Sequence, residues 1–211
     1  GLRVGPDDAV PAPGIRVALM LRWPERAGWH GGVTPTALVS NIDVLPTLLE
    51  LLGIAVPDGV QGRSLLPLLD GKPTTPRAEI FAEMTYHDYY DPRRCIRTET
   101  HKLIANFTTA PAFMDPSQSW RPRSDTWVPP NRAVAYHTHL ELYDLSVDPW
   151  EQVDLAELPE AAGIKRELAA RLMQHLVQTE DPILNGAVIS PHHLTTLSQL
   201  READDGDTVL S

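Results

Sequence analysis

The chain has 211 residues, of which 42% are apolar, and a formal charge of −10 at pH 7. This size allows one domain, and part of another, to bury a core. The acidic balance argues against broad nucleic-acid contact, and no apolar run approaches the roughly 20 residues that cross a bilayer. One cysteine, Cys95, excludes an internal disulfide framework. The beginning of the sequence shows no signal-peptide pattern, so the compartment stays open.

The first predicted elements are a strand and a helix. The run "IRVALML" at residues 15–21 predicts a buried strand. The next apolar positions have helical spacing and end at Gly53, which favours a helix C-terminus. Asn41 or Asp43 can cap the start of this helix, and Pro46 fits only in its first turn. The apolar stripe comprises Leu45, Leu48, Leu49 and Leu52.

Further along the chain, the pattern changes to short strands. Four runs predict a small antiparallel sheet: "EIFAEM", "RRCIRT", "HKLIANF" and "LELYDL". Before the last run, residues 108–139 are rich in Pro, Ser, Trp and Arg, which is typical of a functional surface loop or a poorly ordered segment. Residues 161–178 predict an amphipathic helix that covers one face of this sheet. The end, "READDGDTVLS", should be solvated and frayed.

Three motifs follow one another in an order typical of one family. They are "GIRVALMLRWP" with the later "QGRSLLPLL", then "CIRTETHKLI", then "ELYDLSVDPWEQVDLA". Three ordered motifs are far more specific than any one of them. The chain resembles the C-terminal part of a sulfatase, of the alkaline-phosphatase-like superfamily. The segments "AEMTYHDYYDPRR" and "TEDPIL", with the Trp-rich insert, are similar to the sulfamidase-like (N-sulfoglucosamine sulfohydrolase) branch.

The resemblance implies an α/β fold in two parts. A large mixed sheet carries the catalytic centre, and a small antiparallel sheet packed by a C-terminal helix follows it. Residues 1–75 would then be the C-terminal remnant of the large catalytic domain, with its last strand and helix. Residues 76–185 would form the small α+β subdomain with its insert at 108–139, and residues 186–211 a tail. A missing N-terminal catalytic half would be the partner of this chain.

The resemblance also implies which chemical groups to look for. Sulfatases use a formylglycine nucleophile made from Cys or Ser in a C/S-x-P-S-R motif, whereas Cys95 lies in "CIRTE". We therefore expect Cys95 to be a buried strand residue. The family's calcium needs about six or more oxygens, and Asp7 and Asp8 are too few. The interval "GPDDAVPAP" also lacks the cation that would bind the sulfate. We expect calcium in the complete enzyme, none bound by this chain, and no activity of the chain alone.

The stretch "EMTYHDYYDPRRCIRTETHKLI" holds the candidate substrate-binding residues. In the enzyme interpretation, His87, Asp88, Arg93 and Arg94 bind a sulfated sugar or sulfate ester above a catalytic centre supplied by the other half. Imidazole and carboxylate suit sugar hydroxyls, and the guanidinium fork suits a carboxylate or a second sulfate. In the structural interpretation the same residues form a strand-end turn, where arginines pair with Asp88 and Glu99 at the surface.

Two histidine motifs were weighed as metal ligands. These are "HTH" at residues 137–139 and "HH" at residues 192–193, and we find no further ligand at suitable spacing for either. We therefore predict no metal site in this chain.

Three functions stay open on the sequence. The first is a sulfuric ester or sulfamate hydrolase that acts on a sulfated sugar when complete. The second is a non-catalytic remnant that binds carbohydrate or a partner protein. The third is a phosphoesterase of the same superfamily. A C/S-x-P-S-R motif and metal aspartates in an adjacent reading frame would separate the first from the second, and an assay of sulfate against phosphate esters would separate the third.

Overall fold

The fold is that of a computed structural model, which describes residues 15, 17–23, 25–26, 29, 34, 36–86, 90–109 and 136–204. The chain divides into two compact units, one up to Leu172 and one from Met173 onward. The domain boundaries at residues 75 and 185 remain predictions. No helix in the described ranges is long and apolar enough to cross a membrane.

The first unit is built around a four-stranded antiparallel sheet with the order β1-β2-β3-β4. The strands are β1 (Glu79–Tyr86), β2 (Tyr90–Thr98), β3 (His101–Asn106) and β4 (Leu140–Asp144). Each strand pairs only with its sequence neighbours, so the sheet is a meander. The predicted small antiparallel sheet is confirmed, and each strand lies where the sequence pattern put it.

The two faces of the sheet differ in chemistry. Paired residues share a face, and the register places Ile96, Leu103 and Leu142, all 0% exposed, on what we call the apolar face. The other face, which we call the polar face, carries residues that are partly or fully buried despite their polar groups. They are Cys95, Arg97, Lys102, Asn106, Glu141 and Tyr143. The apolar face supplies core area, whereas the polar face has to satisfy each group with a partner.

The described residues form four α-helices: α1 (Val44–Leu51), α2 (Leu66–Leu69), α3 (Ala162–Gln178) and α4 (Pro191–Asp204). The predicted amphipathic helix is α3, and its Leu168 and Leu172 are buried. An ion pair between Arg171 and Glu79 joins α3 to β1. Because Glu79 lies on the apolar face of the sheet, α3 lies on that side, as predicted.

Helix α4 was not predicted, because residues 186–211 were interpreted as a tail. Its start carries ordinary helix signals: the Ser190 hydroxyl accepts a hydrogen bond from the His193 N–H at 3.1 Å, and Pro191 occupies the first helical position. The apolar residues of α4 are few and exposed, so the periodicity that marks a packed helix is weak.

The prediction of a strand at residues 15–21 is wrong. Residues 17–23 are described, and none of them belongs to a strand. Val17 and Met20 are 57% and 78% exposed. A strand exists only with a hydrogen-bonded neighbour, and no described segment pairs with this one. Helix α1 forms as predicted, but its Leu45 and Leu52 are also exposed, while Pro46 and Thr47 are buried instead.

The "QGRS" loop is fixed to the start of α1 by the buried carboxylate of Asp43. Its Oδ1 accepts the Arg63 backbone N–H at 2.8 Å and an ion pair from Arg77, and its Oδ2 accepts the Ser40 N–H at 2.9 Å. Gly62 passes so close that an added Cβ would lie 1.9 Å from the Ile42 carbonyl oxygen. Asp43 thus acts as a connector between two segments, and this loop has a structural role.

Candidate functional site

The candidate site is one end of the sheet, which we call the hairpin end. Because neighbouring strands are antiparallel, the end of β1 at Tyr86, the start of β2 at Tyr90, the end of β3 at Asn106 and the start of β4 at Leu140 all lie there. The described parts of the predicted insert, residues 108–109 and 136–139, adjoin the same end. The topology therefore brings the described parts of the polar stretch, residues 85–86 and 90–94, to the same end of the sheet as the described ends of the insert.

Two of the four predicted substrate residues, His87 and Asp88, lie outside the described residues. Arg94 is described and is only 3% exposed. Its Nη1 donates hydrogen bonds of 2.9 Å to the carbonyl oxygens of Met84 and Arg93, and its Nε lies 3.7 Å from a carboxylate oxygen of Glu83. This guanidinium holds the main chain near the end of β1. Contact of Arg94 with a substrate remains a prediction.

Arg93 makes a local ion pair at the hairpin end. Its Nε and Nη2 donate to Oδ2 of the buried Asp91 at 2.9 and 2.6 Å, and the Thr108 hydroxyl lies 3.3 Å from the other oxygen. The Arg93 side chain is 25% exposed, unlike that of Arg94. At the same end of the sheet, the ring centroids of Tyr86 and Tyr90 are 5.1 Å apart. Of the two arginines, Arg93 is the more accessible.

A second cluster at this end is centred on the carboxylate of Glu141. Oε1 accepts hydrogen bonds from Asn106 Nδ2 at 2.8 Å and from Nδ1 of His137. Oε2 accepts the Tyr143 hydroxyl at 2.6 Å. Asn106 Nδ2 also donates to the Thr138 carbonyl oxygen at 2.8 Å. One carboxylate therefore joins β3, β4 and the segment that enters β4.

The surroundings of Glu141 also determine its ionisation. Burial alone would raise the pKa of this carboxyl, but the hydrogen bonds from His137 and Tyr143 outweigh it and lower the pKa to about 2. Burial and the bond to Glu141 raise the pKa of the Tyr143 hydroxyl far above its ordinary range. At neutral pH the group is thus a carboxylate that accepts bonds from three donors, with Tyr143 as a phenol.

A buried ion pair connects two of the family-like motifs. Lys102 lies in "CIRTETHKLI" and Glu151 in "DPWE". The Nζ of Lys102 donates hydrogen bonds to both carboxylate oxygens of Glu151, at 2.7 and 2.9 Å. Both side chains are almost fully buried, with 2% and 3% exposed. Cys95 lies on the same face of the sheet, and burial raises the pKa of its thiol to about 11. Cys95 is buried in a strand, as expected.

The comparison with known proteins agrees with these motifs. A family model described as N-sulphoglucosamine sulphohydrolase, C-terminal, matches residues 10–117, about half of the chain. The chain belongs to this family. The match includes the "QGRS" loop and strands β1 to β3, and therefore most of the hairpin end of this sulphohydrolase C-terminal region.

Individual sulfatases are similar to the chain over a limited part of their length. An ulvan-active sulfatase of Formosa agariphila is 32% identical over 162 residues, covering 74% of this chain and 32% of the relative. Human N-sulphoglucosamine sulphohydrolase is 29% identical over 194 residues, covering 81% of this chain and 38% of the relative. The solved structure of a 2-O GAG sulfatase shares 25% identity and a TM-score of 0.50, covering 72% of this chain and 27% of that one. The chain spans about a third of the length of these relatives.

The calcium expected for a complete sulfatase does not fit the described residues. Within the described ranges, no three His, Cys, Asp or Glu side chains gather into a possible metal site. The buried carboxylates Asp43, Asp91 and Glu141 already accept hydrogen bonds from protein donors.

The Glu141 cluster was missed at the sequence level. His137 was weighed only as a metal ligand, although Glu141 follows it by four residues at the start of a strand. That spacing was the available signal. Asn106, at the end of β3, gave no signal, because only the sheet register brings it to Glu141.

Proposed function

We propose that this chain is the C-terminal part of a sulfatase-type hydrolase that acts on a sulfate ester or sulfamate of a sugar when its catalytic part is present. The observation that carries the proposal is the family match over residues 10–117, which includes the parts of the hairpin end that belong to β1, β2 and β3. The hairpin end then supplies contacts to the sugar, and the sulfuryl chemistry takes place on residues outside this chain.

The state of Cys95 supports a nucleophile elsewhere. A thiol with a pKa near 11, buried in the middle of a sheet, is neither ionised nor accessible at neutral pH. The described carboxylates offer no calcium site. Catalysis by sulfatases needs a nucleophile and positive charge over the sulfuryl group, so the chain by itself should turn over no sulfate ester.

Exposed apolar surface supports a catalytic part as the partner. Five apolar side chains are each at least 40% exposed: Val17 and Met20 of the first run, Leu45 and Leu48 of α1, and Leu52 directly after α1. Monomers rarely leave many large apolar side chains in two neighbouring stretches of sequence in water. In the proposed enzyme, these side chains pack against the large catalytic part.

Within the hairpin end, the two arginines have different roles in our proposal. Arg93, which is partly exposed, binds an anionic or hydroxyl group of the sugar together with His87 and Asp88. Arg94 is buried, and it donates hydrogen bonds to the carbonyl oxygens of Met84 and Arg93. It therefore positions the end of β1. This assignment modifies the prediction that both arginines touch substrate.

The test compares a sulfated glucosamine with a small aryl sulfate on a full-length protein that contains this chain. Arg93→Ala should lower kcat/KM for the sugar about 10- to 150-fold and spare the aryl sulfate, because loss of a charged hydrogen bond costs about 1.5 to 3 kcal/mol. Arg166→Ala, on the exposed side of α3, is the matched control and should change neither. Equal losses on both substrates would contradict a role in sugar recognition.

Two further assays address the alternatives. Hydrolysis of phosphate esters in preference to sulfate esters would favour the phosphoesterase. Sugar binding without any hydrolysis by the full-length protein would favour the non-catalytic module. Robust sulfatase turnover by the present chain alone would refute the proposed division of labour.

A further inference from the structure

Two buried polar atoms in the Glu141 cluster have no hydrogen-bond partner in the described part of the chain. They are His137 Nε2 and Asn106 Oδ1. Buried polar atoms are almost always paired, and an unpaired one costs free energy. Two such atoms on neighbouring side chains of one cluster indicate a group that the described residues do not supply.

The cluster fixes the hydrogen-bonding character of both atoms. The Asn106 amide must turn its Nδ2 toward Glu141 Oε1 and the Thr138 carbonyl oxygen, since both are acceptors, so Oδ1 is left as an acceptor. Glu141 accepts from His137, so Nδ1 carries the hydrogen. In the neutral imidazole Nε2 is then an acceptor as well. When the His137 ring is neutral, the site therefore offers two acceptors, both on side chains that donate to the same oxygen of Glu141.

We propose that His137 Nε2 and Asn106 Oδ1 bind a hydroxyl or amino group of the sugar substrate. This inference rests on the proposed function, since it takes the hairpin end as the sugar-binding part. The chemistry selects the ligand: two acceptors beside a carboxylate complement O–H and N–H donors. Sulfate has no hydrogen to donate at neutral pH, and the Glu141 charge would repel it.

Glu141 is the positioning residue of this site. It fixes the ring orientation and the tautomer of His137, and Tyr143 in turn holds the second oxygen of Glu141 at 2.6 Å. A carboxylate behind an imidazole performs this task in many enzymes. Both acceptor atoms are buried in the present conformation, so a ligand has to open the cluster to reach them, and part of its binding free energy is spent on that opening.

The direct test is ¹⁵N NMR of the histidine rings in the present chain, which contains 8 histidines. The probes are D-glucosamine 6-sulfate, D-glucosamine and sodium sulfate, and His137→Gln identifies the His137 signals. Both sugars should shift Nε2 of His137, and sodium sulfate should not. No shift with either sugar, or an equal shift with sulfate, would overturn the proposal.

Matched variants separate binding from folding. His137→Gln should weaken binding of glucosamine 6-sulfate at least about tenfold. His139→Gln changes an exposed histidine two residues away and should leave the affinity within about twofold. Glu141→Leu removes the acceptor that holds the hydrogen on Nδ1, so the ring hydrogen should move to Nε2 and the ¹⁵N spectrum should show the other tautomer. An unchanged tautomer would remove the assigned role of Glu141.

Failure of this site and failure of the proposed function give different results. If the full-length protein hydrolyses sulfated sugars and His137→Gln leaves KM unchanged, the site is wrong and the function stands. If the sugars shift His137 Nε2 but the full-length protein cleaves only phosphate esters, the site stands and the function is wrong.

Discussion

Replacement of Lys102 by Met should be among the most destabilising single changes in the sheet. The Lys102 ammonium makes two hydrogen bonds to Glu151, at 2.7 and 2.9 Å, and both side chains are almost fully buried. Methionine has a similar length but carries no charge, so the Glu151 carboxylate would be left buried without a counter-charge. Loss of one partner of a buried pair costs about 3 to 5 kcal/mol. This is a large share of the roughly 5 to 15 kcal/mol that stabilises a typical domain.

The free energy of unfolding is measured by urea denaturation at pH 7, followed by far-UV circular dichroism. Lys72→Met is the matched control, because Lys72 also pairs with a carboxylate, that of Asp70, but its side chain is 67% exposed. That change should cost less than about 1 kcal/mol.

A double variant isolates the interaction between the two charges. Lys102→Met with Glu151→Met removes both charges, and replacement of a whole buried pair by apolar residues is often neutral. The double variant should therefore be more stable than Lys102→Met alone. A cost below about 1 kcal/mol for Lys102→Met, or additive effects in the double variant, would refute the reasoning.

Three further predictions follow from the same structure. Gly62→Ala should cost about 1 to 3 kcal/mol in urea unfolding, because its Cβ would meet the Ile42 carbonyl, whereas Gly59→Ala has open space and should be neutral. Glu141 has a lowered folded pKa, so it stabilises the fold above pH 4.5 by up to roughly 3 kcal/mol, and this is lost as the pH falls toward 2. Thermal melting from pH 6 to 3 should therefore fall more steeply for the natural chain than for Glu141→Gln, and parallel curves would contradict it. With its pKa raised from 9 to about 11, the Cys95 thiol should react with iodoacetamide at pH 8 roughly a hundredfold more slowly in the folded chain than in guanidinium, and equal rates would contradict its burial.

The small sheet was predictable because its signals are local. Each strand is a short run that contains apolar residues and at least one β-branched or aromatic residue, and turns and loops separate the runs. The register is consistent with the same sequence, since Ile96, Leu103 and Leu142 must share one face for the core to form. Helix α3 was predictable for the same reason, because its apolar stripe repeats at helical spacing.

Burial at the beginning of the chain could not be predicted, because it depends on neighbours that periodicity does not reveal. The run at residues 15–21 has the composition of an internal strand, and α1 has the stripe of a packed helix. Yet Met20 and Leu45 are exposed in the structure. The composition of a segment indicates how much burial it is suited to, whereas its actual burial depends on the segments that pack against it.

The predicted site residues remain predictions, and His87 and Asp88 are outside the described residues. Arg93 and Arg94 lie on β2, at the end of the sheet where β1 ends. The side-chain exposure that separates Arg93 from Arg94 depends on the strand register. The Glu141 cluster joins residues 106, 137 and 141, which no linear motif connects.

The contrast between the two sheet faces affects how strongly the sequence specifies the register of the strands. A slip of one position between β3 and its neighbours would turn every β3 side chain to the opposite face. Lys102 would then enter the layer formed by Ile96 and Leu142, far from Glu151, and Leu103 would displace it among polar groups. Both misplaced side chains would raise the free energy of the misaligned sheet, the lysine by burial without its counter-charge and the leucine by loss of apolar contacts. The buried charges therefore favour the native strand register during refolding. A sheet with two equally apolar faces would lack this selection.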